Sequence, residues 1–179
     1  MKTLVAVLLL CALPVLAQDQ PAPHKPATQK PLPVSKYLRK VGLLYLQTIE
    51  EFSKHCEGLV SDPAAQRECS AAMESWESTF ELIEGQVDIE LSKSHSEGDA
   101  RTWTLLKNAQ MSKSMYLSGH RLAGIMQTAE GGKAIMDLWV GVYPKCYTYA
   151  HETVVDGTYI GDGGCAELVK KATDHKSTK

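Results

Sequence analysis

Apolar side chains in this sequence recur at steps of three and four residues and almost nowhere at steps of two. A helix with one buried stripe needs the first spacing, and a half-buried strand needs the second. The chain is therefore expected to be all-α, a small disulfide-containing helical bundle of about four helices plus a short C-terminal helix. The cleanest stripe is Cys69, Met73, Trp76, Phe80, Ile83 and Val87, with alternating steps of four and three. This heptad seam is too brief for a long coiled coil and predicts packing inside a bundle.

Start and stop signals divide the rest. Ser35 is placed to cap a first helix carrying Tyr37, Leu38, Val41, Leu44, Tyr45, Ile49 and Phe52, with the tyrosines at the stripe's edge and Gly58 as its stop. Ser61-Asp62-Pro63 combines a capping side chain with a proline whose missing N–H costs nothing in a first turn. The second helix then runs from Pro63 to about His95, locally weakened by Gly85. Ser96 or Asp99 opens a third, with Trp103, Leu106, Met115, Tyr116, Leu122, Ile125 and Met126 as core, broken by Gly131-Gly132. A fourth segment, Ala134 to Tyr143, carries Ile135, Leu138, Trp139 and Val142 at helical spacing and is expected to kink or end at Pro144. Asp156 to Gly164 is a loop by composition, and a short last helix follows from Cys165 to about Thr173. Strand-forming residues gather only between Tyr147 and Ile160.

The N-terminal residues bear on compartment. Lys2 precedes an apolar run from Leu4 to Leu16, and Val15 and Ala17 are small residues before a cut at Gln18. Residues 1–17 thus have the layout of a secretory signal peptide, and the run is shorter than the roughly 20 residues of a spanning helix. Residues 18–34 hold five prolines and predict an extended tether. Residues 35–179 form a single helical domain, large enough for its own core. Removing the leader takes Cys11 away and leaves Cys56, Cys69, Cys146 and Cys165, an even number that in an exported chain predicts two disulfides. The pairs expected are Cys56–Cys69, across the short connection between the first two helices, and Cys146–Cys165, around the glycine-rich loop.

Charge is segregated. The chain has 19 basic and 21 acidic residues, and without the leader's Lys2 the balance is 18 − 21 = −3. Asp62 to Asp99 holds ten acids and two bases, whereas Ala100 to Thr128 holds four bases and no acid. Glu74, Glu77, Glu81, Glu84 and Asp88 stand beside the apolar seam. Oppositely charged helices flanking each other explain this layout, with the Glu77–Glu84 stretch near Lys107 or Lys113. The sharper alternative is an acidic face for a basic protein or a cation. An acidic chain without a clustered basic patch argues against nucleic acid.

No motif assigns a catalytic residue, a cofactor site or a metal site. There is no H-E-x-x-H, no G-x-S-x-G, no phosphate-binding glycine loop and no C-x-x-C. His24 and His175 fall in the tether and tail, and His55 stands one turn from Glu51, the spacing of a surface hydrogen bond. Asp156, Gly161 and Glu167 match three anchor positions of a calcium loop, but Ile160 stands where an oxygen ligand is required, so no binding tighter than about millimolar is expected. Trp139, Tyr143, Tyr147, Tyr149 and Tyr159 suggest either core or a ligand pocket, with Trp139, Tyr143 and His151 as its candidate lining. The expected function is an exported, periplasmic or secreted, non-enzymatic helical module that binds a protein partner or small ligand. It has no membrane-spanning segment once the leader is cut. The alternative is an exported hydrolase using His120 or His151 with nearby acids.

Overall fold

The computed structural model describes residues 30–57, 62–125 and 129–174. The leader, most of the tether, Gly58, Met126, His24 and His175 lie outside them. The elements are β1 (Leu32–Pro33), α1 (Lys36–Lys54), α2 (Pro63–Ser94), α3 (Glu97–Ile125), α4 (Ala129–Trp139), α5 (Val142–Asp156), β2 (Thr158–Tyr159) and α6 (Cys165–Asp174). The fold is all-α with a short C-terminal helix and two disulfides.

Local chemistry sets several boundaries as the sequence predicts. Ser35 accepts from the Leu38 amide, and Asp62 accepts from the Ala64 amide ahead of Pro63. Ser96 accepts from the Asp99 amide at 3.2 Å and opens α3. Gly157 ends α5 with φ 73°, a left-handed conformation that glycine adopts without strain.

Other boundaries differ from expectation. Gly131 and Gly132 lie inside α4 rather than between helices. A Cβ on Gly119 would come within 2.9 Å of the Gly132 carbonyl oxygen, so these small residues mark a close approach of α3 and α4. Pro144 does not end a helix. The chain turns at Val140–Gly141, and Pro144 falls in the first turn of α5, where its missing N–H leaves no bond unmade. The β-rich composition from Tyr147 onward is overridden by packing: residues 147–156 continue α5, and only Thr158–Tyr159 is strand. That strand pairs antiparallel with β1 in the register Leu32↔Tyr159 and Pro33↔Thr158. Val34 is buried, and its amide donates to the Gly157 carbonyl. The last residues of the proline-rich segment, 32–34, are therefore packed against the domain.

Helix α3 sits at the centre and touches every other helix. A helix surrounded this way keeps only a narrow exposed strip, at Ala100, Thr104 and Met111, which is why its sequence period is weak. Its fully buried apolar residues are Trp103, Leu105, Leu106, Ala109 and Leu117, while the expected Met115, Tyr116 and Leu122 are half-buried. The seam on α2 behaves as predicted: Cys69, Trp76, Phe80 and Val87 are buried, with Met73 and Ile83 packed beside them. An aromatic cluster joins three helices. Tyr45 meets Phe80 at 4.8 Å and Trp103 at 5.0 Å, Trp76 meets Phe80 at 4.8 Å, and Phe52 meets Trp76 at 5.8 Å. Edge and tilted pairs of this kind contribute about 0.5–1.5 kcal/mol each beyond their buried area. Tyr45 is not at the stripe's edge as expected: it is fully buried, and its hydroxyl donates to Glu84 Oε1 at 2.7 Å. Leu44, read as core, is exposed, and Leu46 takes the buried place.

Candidate binding groove

Helix α2 is long and thinly covered. Of its 32 residues only Cys69, Trp76, Phe80 and Val87 are buried. It is fastened at both ends. At the start, the Cys56–Cys69 disulfide ties it to the end of α1, and His55 Nδ1 lies 2.8 Å from Glu68 Oε1 beside that bond. His55 thus pairs across helices, and its expected neighbour Glu51 bonds Lys54 instead. At the far end, Asp88 accepts from Trp103 Nε1 at 2.6 Å and lies 3.7 Å from Lys107 Nζ. Between these fastenings α2 and α3 part to form a groove with a cavity volume of about 510 Å³.

The groove has three chemical parts. Trp76 and Phe80 form its floor with Met73, Met111 and Met115. Glu74, Glu77, Glu81 and Glu84 line the α2 wall. Gln110, Ser114, Ser118 and Arg121 line the α3 wall. Glu84 is held by Tyr45, while Glu74, Glu77 and Glu81 have no ion-pair partner among the described residues. Helices α2 and α3 do lie side by side and antiparallel, but neither expected lysine faces the Glu77–Glu84 stretch. Lys107 reaches Asp88, and Lys113 Nζ sits 4.6 Å from the centre of the Tyr143 ring on the α5 side of α3. A lysine's register along α3 is one residue in 3.6, and the difference of a few residues moves it to another neighbour.

Two buried donors mark the same groove. Trp76 is 2% exposed, and its indole Nε1–H has no acceptor among the described residues. The Arg121 Nε–H is also buried without an acceptor, and its guanidinium has no carboxylate partner among the described residues. Buried donors are nearly always satisfied, because each unmade bond costs about 1–3 kcal/mol. Sequence reasoning singled out the acids but not these donors. Trp76 reads as plain core, and Arg121 as one of four scattered bases.

The residues nominated from sequence are not brought together. Trp139 is fully buried core at the end of α4. Tyr143 is half-buried and donates its hydroxyl to Glu50 of α1, and burial followed by this contact pushes its pKa well above the usual phenol range. His151 is exposed, with its ring stacked on Tyr147 at 6.0 Å. Tyr143, Tyr147 and His151 form a one-turn ladder along α5, a surface stack rather than a cavity. Glu152 and Asp156 line a depression of about 50 Å³ with Tyr149, away from His151. Asp162 caps α6 by accepting from the Gly164 and Ala166 amides. His120 is half-buried without a hydrogen bond among the described residues, and burial lowers its pKa. In the calcium-like loop, Ile160 is exposed, Asp162 is spent on its cap and Glu167 bonds Lys171 at 2.7 Å.

Fold and groove together define a disulfide-tied helical bundle with an acid-walled, methionine-floored cleft between two antiparallel helices. The chain matches no family model, no curated protein and no solved structure. Among the described residues no helix is long and apolar enough to cross a membrane, and no three metal-ligating side chains converge.

Proposed function

We propose that the protein is an exported, non-enzymatic binding module and that the α2–α3 groove is its binding site. The observation that carries the reading is the concentration of unmet polar groups there. Among the described residues, Trp76 and Arg121 offer buried donors without acceptors and three glutamates lack cations, and the floor between them is apolar. A ligand site combines apolar lining with a few convergent polar groups, and a volume of about 510 Å³ is in the usual range. Export is supported by the two disulfides, which persist in oxidising compartments, and by the leader-like pattern of residues 1–17. The hydrolase alternative needs a histidine and an acid facing one concavity, and His120 and His151 have no such neighbour among the described residues.

The test is chemical-shift mapping of the folded domain against a panel of cationic and neutral amphiphiles and short peptides. Shifts are expected at Trp76, Met111, Ser114 and Arg121. Shifts confined to the α5 ladder or the α6 loop would refute the groove. Export is checked by N-terminal sequencing, which should give Gln18 or a residue close to it, and retention of Lys2 would refute cleavage.

A further inference from the structure

We propose that the groove takes one basic amphipathic helix of a partner protein, lying antiparallel to α2 with its C-terminal end at Trp76 and Arg121. This rests on the groove being the binding site and names its occupant. The acidic wall has the spacing of a helix. Glu74, Glu77, Glu81 and Glu84 stand three, four and three residues apart along one wall, so the carboxylates repeat with the pitch of a helix over about 15 Å. A small cation meets one or two of these groups. A helix with lysines or arginines at matching steps meets them all while its apolar stripe lies on the floor.

The floor suits such a guest. Met73, Met111 and Met115 are unbranched and readily change rotamer, so they adapt to a helix face. Leu82 and Ile89, 77% and 53% exposed, leave the outer side of α2 without cover as well. The two buried donors set the guest's direction. The α2–α3 connection is at His95–Ser96, so Trp76 and Arg121 both belong to the half of the groove remote from it. They are donors without acceptors, and the last turn of a helix holds carbonyls without donors and a negative dipole end. A guest helix whose C-terminal turn lies there satisfies both sets, with its lysines along the glutamate wall.

The experiment uses the mature chain and synthetic peptides of about 14 residues, two heptads. The first carries leucines at a and d with flanking lysines, the second is its register-scrambled isomer, and the third has glutamate for lysine. Dodecyltrimethylammonium below its micelle concentration is the small-cation arm. The leucine–lysine peptide is expected to bind and gain helicity, with affinity falling as salt rises. Glu77→Lys with Glu81→Lys should weaken binding about tenfold while leaving the melting temperature in place, because both side chains are exposed and unpaired. A nitroxide on the peptide's C-terminus should broaden the amides of Met73 and Ser118, and one on its N-terminus those of Glu84 and Gln110. Equal binding of the scrambled isomer, or the reverse broadening pattern, overturns the inference. Shifts at the groove with the ammonium but not the peptide overturn the helical guest and leave the groove reading intact. No binding in either arm removes both.

Discussion

The Tyr45–Glu84 bond should account for a measurable share of how α2 is held between its two fastenings. Tyr45 is fully buried, and its hydroxyl donates to Glu84 Oε1 at 2.7 Å. Burial first, and the Glu84 contact second, push the phenol's pKa far above its ordinary value, so it stays a donor at every working pH. Hydrogen bonds to charged acceptors contribute about 1.5–3 kcal/mol, and Glu84 is partly exposed, so about 1.5 kcal/mol is the appropriate figure. Tyr45→Phe keeps both aromatic contacts and removes only the donor, while Glu84 recovers water. Glu84→Ala instead strands a buried hydroxyl, which costs about 1–3 kcal/mol. If the bond is what each substitution removes, the double variant should be little worse than either single one, with a coupling of about 1 kcal/mol. The assay is urea unfolding followed by tryptophan fluorescence, with far-UV circular dichroism as the check on two-state behaviour. For a domain of this size each kcal/mol corresponds to about 2–4 °C in melting temperature. Strictly additive losses would show that the two side chains do not act as a pair and would refute the account of how α2 is anchored to α1.

Three further outcomes follow from named contacts. A Cβ on Gly163, at φ 58°, would come within 2.1 Å of the Tyr149 ring, so Gly163→Ala should destabilise the fold by about 1–3 kcal/mol in urea titration, whereas Gly85→Ala, with open space around it inside α2, should stabilise it by about 0.5–1 kcal/mol. His120 has a pKa lowered by burial, so the unfolded chain binds its proton more readily; stability should therefore fall as pH drops through its ordinary value of 6.5, and His120→Gln should flatten that limb in denaturation curves at pH 7.5 and 5.0. Replacing Cys146 and Cys165 together by serine should cost about 3 kcal/mol, since the bond closes 19 residues, and peptide mapping without reduction should find Cys146 joined only to Cys165.

The sequence by itself determined what depends on neighbours along the chain. The period of three and four on α2 fixed which face is buried, the Asp62-Pro63 and Ser35 signals fixed where helices start, and the short spacing of the cysteines favoured the two local pairs among the three connectivities that four cysteines allow. Each is a local effect of backbone geometry, capping or loop closure. Where tertiary contacts outweigh propensity, the sequence pointed elsewhere. Gly131-Gly132 reads as a break until α3 is seen lying against it, and Pro144 reads as an end until the turn at Val140–Gly141 makes it a beginning. The acids of the groove wall were legible because charge is written in the residue type. The two unmet donors were not, because whether the Trp76 and Arg121 N–H groups find acceptors depends on what the other helices bring within 3 Å or so of them. For the same reason Trp139, Tyr143 and His151, close in sequence on α4 and α5, went to core, to Glu50 and to solvent. Trp139 lies on α4, before the turn at Val140–Gly141, while Tyr143 and His151 share one face of α5 two turns apart, so what each meets depends on which helix packs opposite it.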